Sequence, residues 1–124
     1  MSIADKTILI TGASRGIGRA LADEALRRGA RRVYAAARRP AAFADERVTP
    51  LTLDVTDAAQ VRAAAERVGS LDILVNNAGL ALYEGLGDRA TLERHLAVNL
   101  FGTYAMSEAF LPVLMRSGGA IVNN

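Results

Sequence analysis

The stretch TILITGASRGIG (residues 7–18) decides the fold. Its first five residues form a short apolar run of the kind that makes a strand buried on both faces. Gly12, Gly16 and Gly18 then cluster where the strand gives way to a helix over residues 16–28, with Ile17, Leu21 and Ala25 expected on one face and Gly29 as its stop. A strand that feeds a helix through such a loop needs a tight turn, close backbone approach and close helix–strand contact. It also aims free backbone N–H groups and the positive end of the helix dipole at one point. That point suits a pyrophosphate; the alternative is that the glycines only make a turn. The spacing is Gly-x-x-x-Gly-x-Gly, and no Lys-Ser or Lys-Thr pair follows, so this is not a Walker loop.

Outward from this stretch, two periods alternate. Further strands are expected at residues 32–37, 48–53, 72–76 and 120–123, with Pro50 placing the 48–53 strand at a sheet edge. A helix is expected over residues 57–68, capped by Thr56 or Asp57 and ended by Gly69. Residues 91–116 read as one long helix, or two joined near Asn99 and Gly102, with Pro112 as a kink or late turn. Residues 40–47 and 80–90 are assigned to no element. Strand–helix alternation with short connections gives an α/β chain: a parallel sheet with helices on both faces.

Composition sets the outer limits. A length of 124 residues holds one domain, and an apolar content of 51% supports a packed core. Aromatics make up only 5%, so Ala, Leu, Val and Ile must fill that core. Cys is absent, which excludes disulfides and thiolate metal sites; no metal site is expected. No apolar run approaches the roughly 18 residues of a membrane span, and the N-terminus does not read as a signal peptide, so the expected location is cytoplasmic. Net charge is +2, and the densest basic cluster, RRGARR, is balanced by the acidic residues of LADEALRR. Without aromatic interleaving this is no nucleic-acid surface.

Four segments in order, TGASRGIG, LTLDV, VNNAG and VNLFG, resemble the short-chain dehydrogenase/reductase family. The resemblance covers essentially the whole chain. It implies a Rossmann-like doubly wound parallel sheet of five strands in the order 3-2-1-4-5. It makes Gly12, Ser14, Arg15, Gly16, Ile17 and Gly18 the cofactor loop; the extended, epimerase-like type of this family would carry Gly in place of Arg15. In the fold, the end of the second strand lies beside the adenosine ribose. NAD-preferring relatives tend to carry Asp where this chain has Ala37, and Arg38 follows. Arg15 approaches the same place from the loop. Two guanidiniums without a carboxylate argue for NADP(H), the alternative being two solvated surface arginines. The resemblance gives Asp54 to the adenine amino group and Val55 to the ring, unless Asp54 caps the helix that follows. Asn77, Ala78 and Gly79 run beside the cofactor, and Asn76 ties strands together.

Relatives work with Asn, Ser, Tyr and Lys. The Tyr hydroxyl exchanges the substrate proton, and the Lys ammonium lowers its pKa. Asn99 in VNLFG matches the Asn, unless it is a helix-interior Asn bonded locally to backbone. The other three have no match: Lys6 is the only Lys, and the residues four positions after Tyr34, Tyr83 and Tyr104 are Arg38, Gly87 and Glu108. His95 implies no acidic or metal partner. The chain therefore reads as the NADP(H)-binding portion of an oxidoreductase that interconverts an alcohol and a ketone or aldehyde by hydride transfer. Residues 1–124 are expected to be a single dinucleotide-binding domain, incomplete at its C-terminal end and inactive alone. The alternative is a non-catalytic nucleotide-binding or self-associating module. An open edge at residues 120–123 and an apolar helix face over 100–115 predict a homo-oligomer.

Overall fold

The computed structural model describes residues 2–80 and 87–124. Strands β1 (Thr7–Thr11), β2 (Arg32–Ala37), β3 (Val48–Thr52), β4 (Ile73–Asn76) and β5 (Ala120–Asn123) form one sheet in the order β3-β2-β1-β4-β5. Every pairing is parallel. This is the expected Rossmann-like arrangement. Pro50 lies in β3, opposite Ala35, at the edge where its missing N–H breaks no ladder. The chain moves from β1 outward to β3, then crosses back to β4 on the other side of β1. The crevice at that reversal, beyond the carboxyl ends of β1 and β4, is where this kind of sheet binds ligands.

Alternation along β1 splits the core in two. Ile8 and Ile10 face α1 (Gly16–Arg27) with Ala22, Ala25, Leu26, Val33 and Ile73. Leu9 faces the opposite layer with Leu74, Val61, Met106 and Phe110, under α2 (Ala58–Val68) and the later helices. Of the apolar face expected on α1, only Ala25 is buried. Ile17 and Leu21 are 64% and 36% exposed, whereas Gly18, Ala22, Ala25 and Leu26 are buried. The helix has turned by one residue because it meets the sheet through its smallest side chains. Near the glycine loop there is no space for an isoleucine, so bulk does not decide burial there.

The boundaries follow local chemistry. Asp57 caps α2 by accepting from Ala59 N and Gln60 N, and Gly69 ends it at φ 67°. The long helix is two helices joined at Asn99 and Gly102, the second of the expected forms. α3 (Arg89–Leu96) passes through a π-helical turn (Ala97–Gly102) into α4 (Thr103–Ser117). Pro112 lies inside α4, which runs on for five more residues to Ser117 rather than stopping. Gly118 closes α4 in the left-handed region and leads straight into β5. Gly102 is fixed by packing, since a Cβ there would lie 2.5 Å from Val55 Cγ2.

Candidate dinucleotide site

The loop between β1 and α1 is shaped by contacts that admit no side chain. A Cβ on Gly12 would lie 3.0 Å from Ala78 Cα, and one on Gly18 would lie 2.0 Å from the Gly12 carbonyl oxygen. Gly12 and Gly16 both have left-handed backbones, at φ 65° and 58°. Gly16 differs in one respect: nothing stands within 4 Å of the place its Cβ would take. Its glycine therefore leaves space in front of the loop rather than inside it. Ala13 N donates to Ala36 O (3.0 Å), pinning the loop to the end of β2. Arg15, the residue before α1, gives no side-chain cap, and the first turn carries no acid. The N–H groups and positive dipole end of this twelve-residue helix are thus left facing the crevice.

Thr11 is a functional position that sequence reasoning passed over. Its buried hydroxyl accepts from Asn77 N (3.0 Å) and Ala78 N (2.9 Å), and donates to Val75 O (3.4 Å). The ends of β1 and β4 are thereby joined. A hydroxyl residue at the last position of the strand, just before Gly12, was the available signal. Asn77 continues the network: its Nδ2 donates to Gly12 O (3.3 Å) and its Oδ1 accepts from Asn124 Nδ2 (2.7 Å). Asn76 ties strands as expected, donating to Asn123 Oδ1 (2.9 Å) and Ser107 Oγ (3.1 Å).

These elements enclose a cleft of about 1040 Å³. It gathers Gly12, Ser14, Arg15, Gly16 and Ile17 with Arg38, Asp54, Val55, Asn77, Ala78 and Gly79. Gly18 stands behind it, in contact with Gly12. Thr11, Ala37, Arg39, Leu53, Thr56, Leu80 and Val98 complete the lining. The exposed Ile17, expected in the cofactor loop, is one of its walls. Asp54 does not cap α2, which is the work of Asp57. Its Oδ1 accepts from Thr56 Oγ1 (2.6 Å) and Thr56 N (2.9 Å). Those hydrogen bonds, first the hydroxyl and then the amide, hold its carboxyl below the ordinary range, with the charge of Arg38 adding to them. Val55 is more enclosed than a bare ring platform would be: it is 7% exposed and packs against Gly102.

Asn99 sits in the π-helical turn, so its side chain is not bonded within its own helix. Its Nδ2 donates to Leu80 O (2.9 Å), and its Oδ1 accepts from Leu80 N (2.7 Å). These two hydrogen bonds to the backbone of one residue fix the strip that follows β4 against the helix break. π-turns of this sort are frequent at functional sites. Of the tyrosines, Tyr34 packs against the core and Tyr104 is exposed on α4; Tyr83 lies outside the described residues. Lys6 precedes β1, at the opposite end of the sheet from the cleft, where its carbonyl accepts from Arg31 N. The structure thus brings together the dinucleotide residues and places no Tyr–Lys pair beside them among the described residues.

The family described as short chain dehydrogenase matches residues 6–124. A sorbitol dehydrogenase of Cereibacter sphaeroides is 41% identical over 99% of this chain and 53% of its own length. A short-chain dehydrogenase from Burkholderia cenocepacia, solved in complex with NADP, superposes with a TM-score of 0.95 at 39% identity, over 99% of this chain and 54% of that one. A 3-ketoacyl-(acyl-carrier-protein) reductase from Brucella melitensis, solved with NADH, gives a TM-score of 0.90 at 29% identity, over 98% and 57%. The chain spans about half the length of the relatives it matches. With the match running from Lys6 through the glycine loop and Asn99 to Asn124, the chain belongs to the short-chain dehydrogenase family.

Proposed function

We propose that residues 1–124 are the NADP(H)-binding domain of a short-chain oxidoreductase whose full polypeptide interconverts an alcohol and a ketone or aldehyde. One observation carries the cofactor assignment. Arg15 and Arg38, from different elements, line one cleft with the uncapped start of α1, and β2 ends in Ala37 rather than a carboxylate. A 2′-phosphate would meet two guanidiniums there and no carboxylate at the end of β2. The NADP-bound Burkholderia relative supports this reading, while the NADH-bound Brucella relative makes the arginines, not the family, the deciding feature.

The nicotinamide cofactor supplies the hydride chemistry when bound. The chain's own residues hold it. The N–H groups of the glycine loop and α1 take the pyrophosphate, Asp54 and Val55 the adenine, and the backbone of Asn77–Gly79 the inner flank. Asn99 holds that flank in place through Leu80. The test is calorimetric titration of the chain with NADP+ and NAD+. NADP+ should bind at least ten times more tightly; equal affinity would overturn the assignment.

A second reading, a self-associating module, is favoured by exposed apolar residues on the π-helical turn, α4 and β5. Leu100, Phe101, Tyr104, Leu111, Met115 and Val122 are all exposed. We take this face as a contact between copies that accompanies cofactor binding rather than replacing it.

A further inference from the structure

We infer that Arg19 and Phe43 form a clamp that sets the preference for a 2′-phosphate, by holding the segment that carries Arg38 and Arg39 against α1. The inference rests on the NADP(H) reading above and adds two positioning residues to it.

Residues 38–47 link β2 to β3 and begin with the two arginines that line the cleft. The two ends of the segment are secured by hydrogen bonds. At its start, Ala36 O and Ala37 O accept from Ala13 N (3.0 Å) and Leu53 N (2.9 Å). At its end, Arg47 is paired with Asp45 and donates to Leu26 O (3.1 Å) in the last turn of α1 and to Ala30 O (3.4 Å) beyond it. Between them, residues 38–44 make no backbone hydrogen bond among the described residues. Their anchor is Phe43. The ring packs against the cluster that includes Ala22 and Leu26, and the Arg19 guanidinium carbon lies 3.9 Å from the ring centroid. A cation over an aromatic face is attracted by the ring quadrupole.

The position of Arg19 matters as much as its partner. It lies one helical turn after Arg15, to whose carbonyl its N–H donates (3.2 Å). Two guanidinium charges this near one another repel. The ring of Phe43, with Asp23 at 3.9 Å, draws the Arg19 charge over the segment. Arg15 is left as the arginine of this pair that faces the cleft. The same contact thus fixes Arg38 and Arg39 from one side and keeps Arg15 for the phosphate from the other.

The experiment compares the wild-type chain with Phe43→Leu and Phe43→Tyr. Leu keeps apolar packing but removes the ring face; Tyr keeps the face. NMR backbone order parameters of residues 38–44, Pro40 aside, are read without cofactor, and NADP+ and NAD+ affinities by calorimetry. The clamp predicts lower order parameters in Phe43→Leu and a loss of NADP+ affinity of about 2- to 5-fold, the range of an exposed cation–π contact. NAD+ affinity should hold, and Phe43→Tyr should restore both readouts. Unchanged order parameters would overturn the clamp, and equal losses for NADP+ and NAD+ would overturn its role in specificity. Wild-type chain that binds both dinucleotides alike would refute the NADP(H) reading instead, and the order-parameter comparison would still decide whether the clamp exists.

Discussion

Gly18 stands against Gly12 so closely that a Cβ on Gly18 would lie 2.0 Å from the Gly12 carbonyl oxygen and 2.6 Å from Asn77 Nδ2. The glycine loop, the start of α1 and the end of β4 are therefore one packed unit. Gly18→Ala should lower stability by about 1–3 kcal/mol, the usual range for overpacking a closed site. Gly16→Ala faces open space and meets only the strain of its left-handed backbone, about 1–2 kcal/mol. Its larger effect should be on dinucleotide affinity, because the new methyl projects into the space the ligand would use. Urea unfolding and calorimetric titration of both variants check the contrast; a Gly16→Ala chain with wild-type affinity would contradict it.

Acid should weaken the end of α1 through a particular group. Arg27 and Arg28 both hydrogen-bond to Glu24, holding its carboxyl at about 2 instead of the usual 4.5. A depressed folded pKa adds stability above the unfolded value and loses it as pH falls toward the folded one. The contribution of Glu24 is thus complete above about 4.5 and disappears toward about 2. Glu24→Gln should show a smaller fall in melting temperature across that window. Being on the surface, the effect is modest and should shrink in high salt. Parallel pH profiles for the two chains would count against the pairing.

Much of this was legible in the sequence because it depends on short-range rules. Strand–glycine–helix order located the loop, Pro50 located the edge, and Asp57 and Gly69 bounded α2. The inward face of α1 was not legible. Whether Ile17 or Gly18 faces the sheet depends on how closely Gly12 and Asn77 approach, and those residues come from two other elements. The role of Thr11 was hidden for the same reason, since its partners lie some 65 residues away. Asn99 was found by its motif, but its attachment to Leu80 depends on the π-helical turn, which no simple period announces.

The exposed apolar residues of the π-helical turn, α4 and β5 predict association. Met115 is 74% exposed and Phe101 61%, and the outer edge of β5 pairs with no strand among the described residues. Patches of this kind mark contact surfaces. Light scattering at tens of micromolar, a range set by ordinary interface affinities, should give a dimer or larger species. Phe101→Glu with Met115→Glu should shift it toward monomer. A monomeric wild-type chain would contradict the assignment.

Residues 1–124 alone should not turn over. With no Tyr–Lys pair, general acid–base help worth about 10²–10⁴ in rate is missing. Purified chain mixed with NADPH and a panel of aldehydes, ketones and quinones should leave the reduced nicotinamide absorbance steady. Substrate-dependent oxidation at an ordinary enzymatic rate that survives Asn99→Ala would reveal a catalytic site elsewhere.

The central claim is that Arg38 and Arg15 read the 2′-phosphate of NADP(H), and Arg38→Ala tests it most directly. Losing one charge-assisted hydrogen bond costs about 1.5–3 kcal/mol, or roughly 10- to 150-fold in affinity. Calorimetric titration of Arg38→Ala should show that loss for NADP+ and an unchanged affinity for NAD+. A variant that binds NADP+ as tightly as the wild-type chain, or that weakens toward both dinucleotides equally, would contradict it.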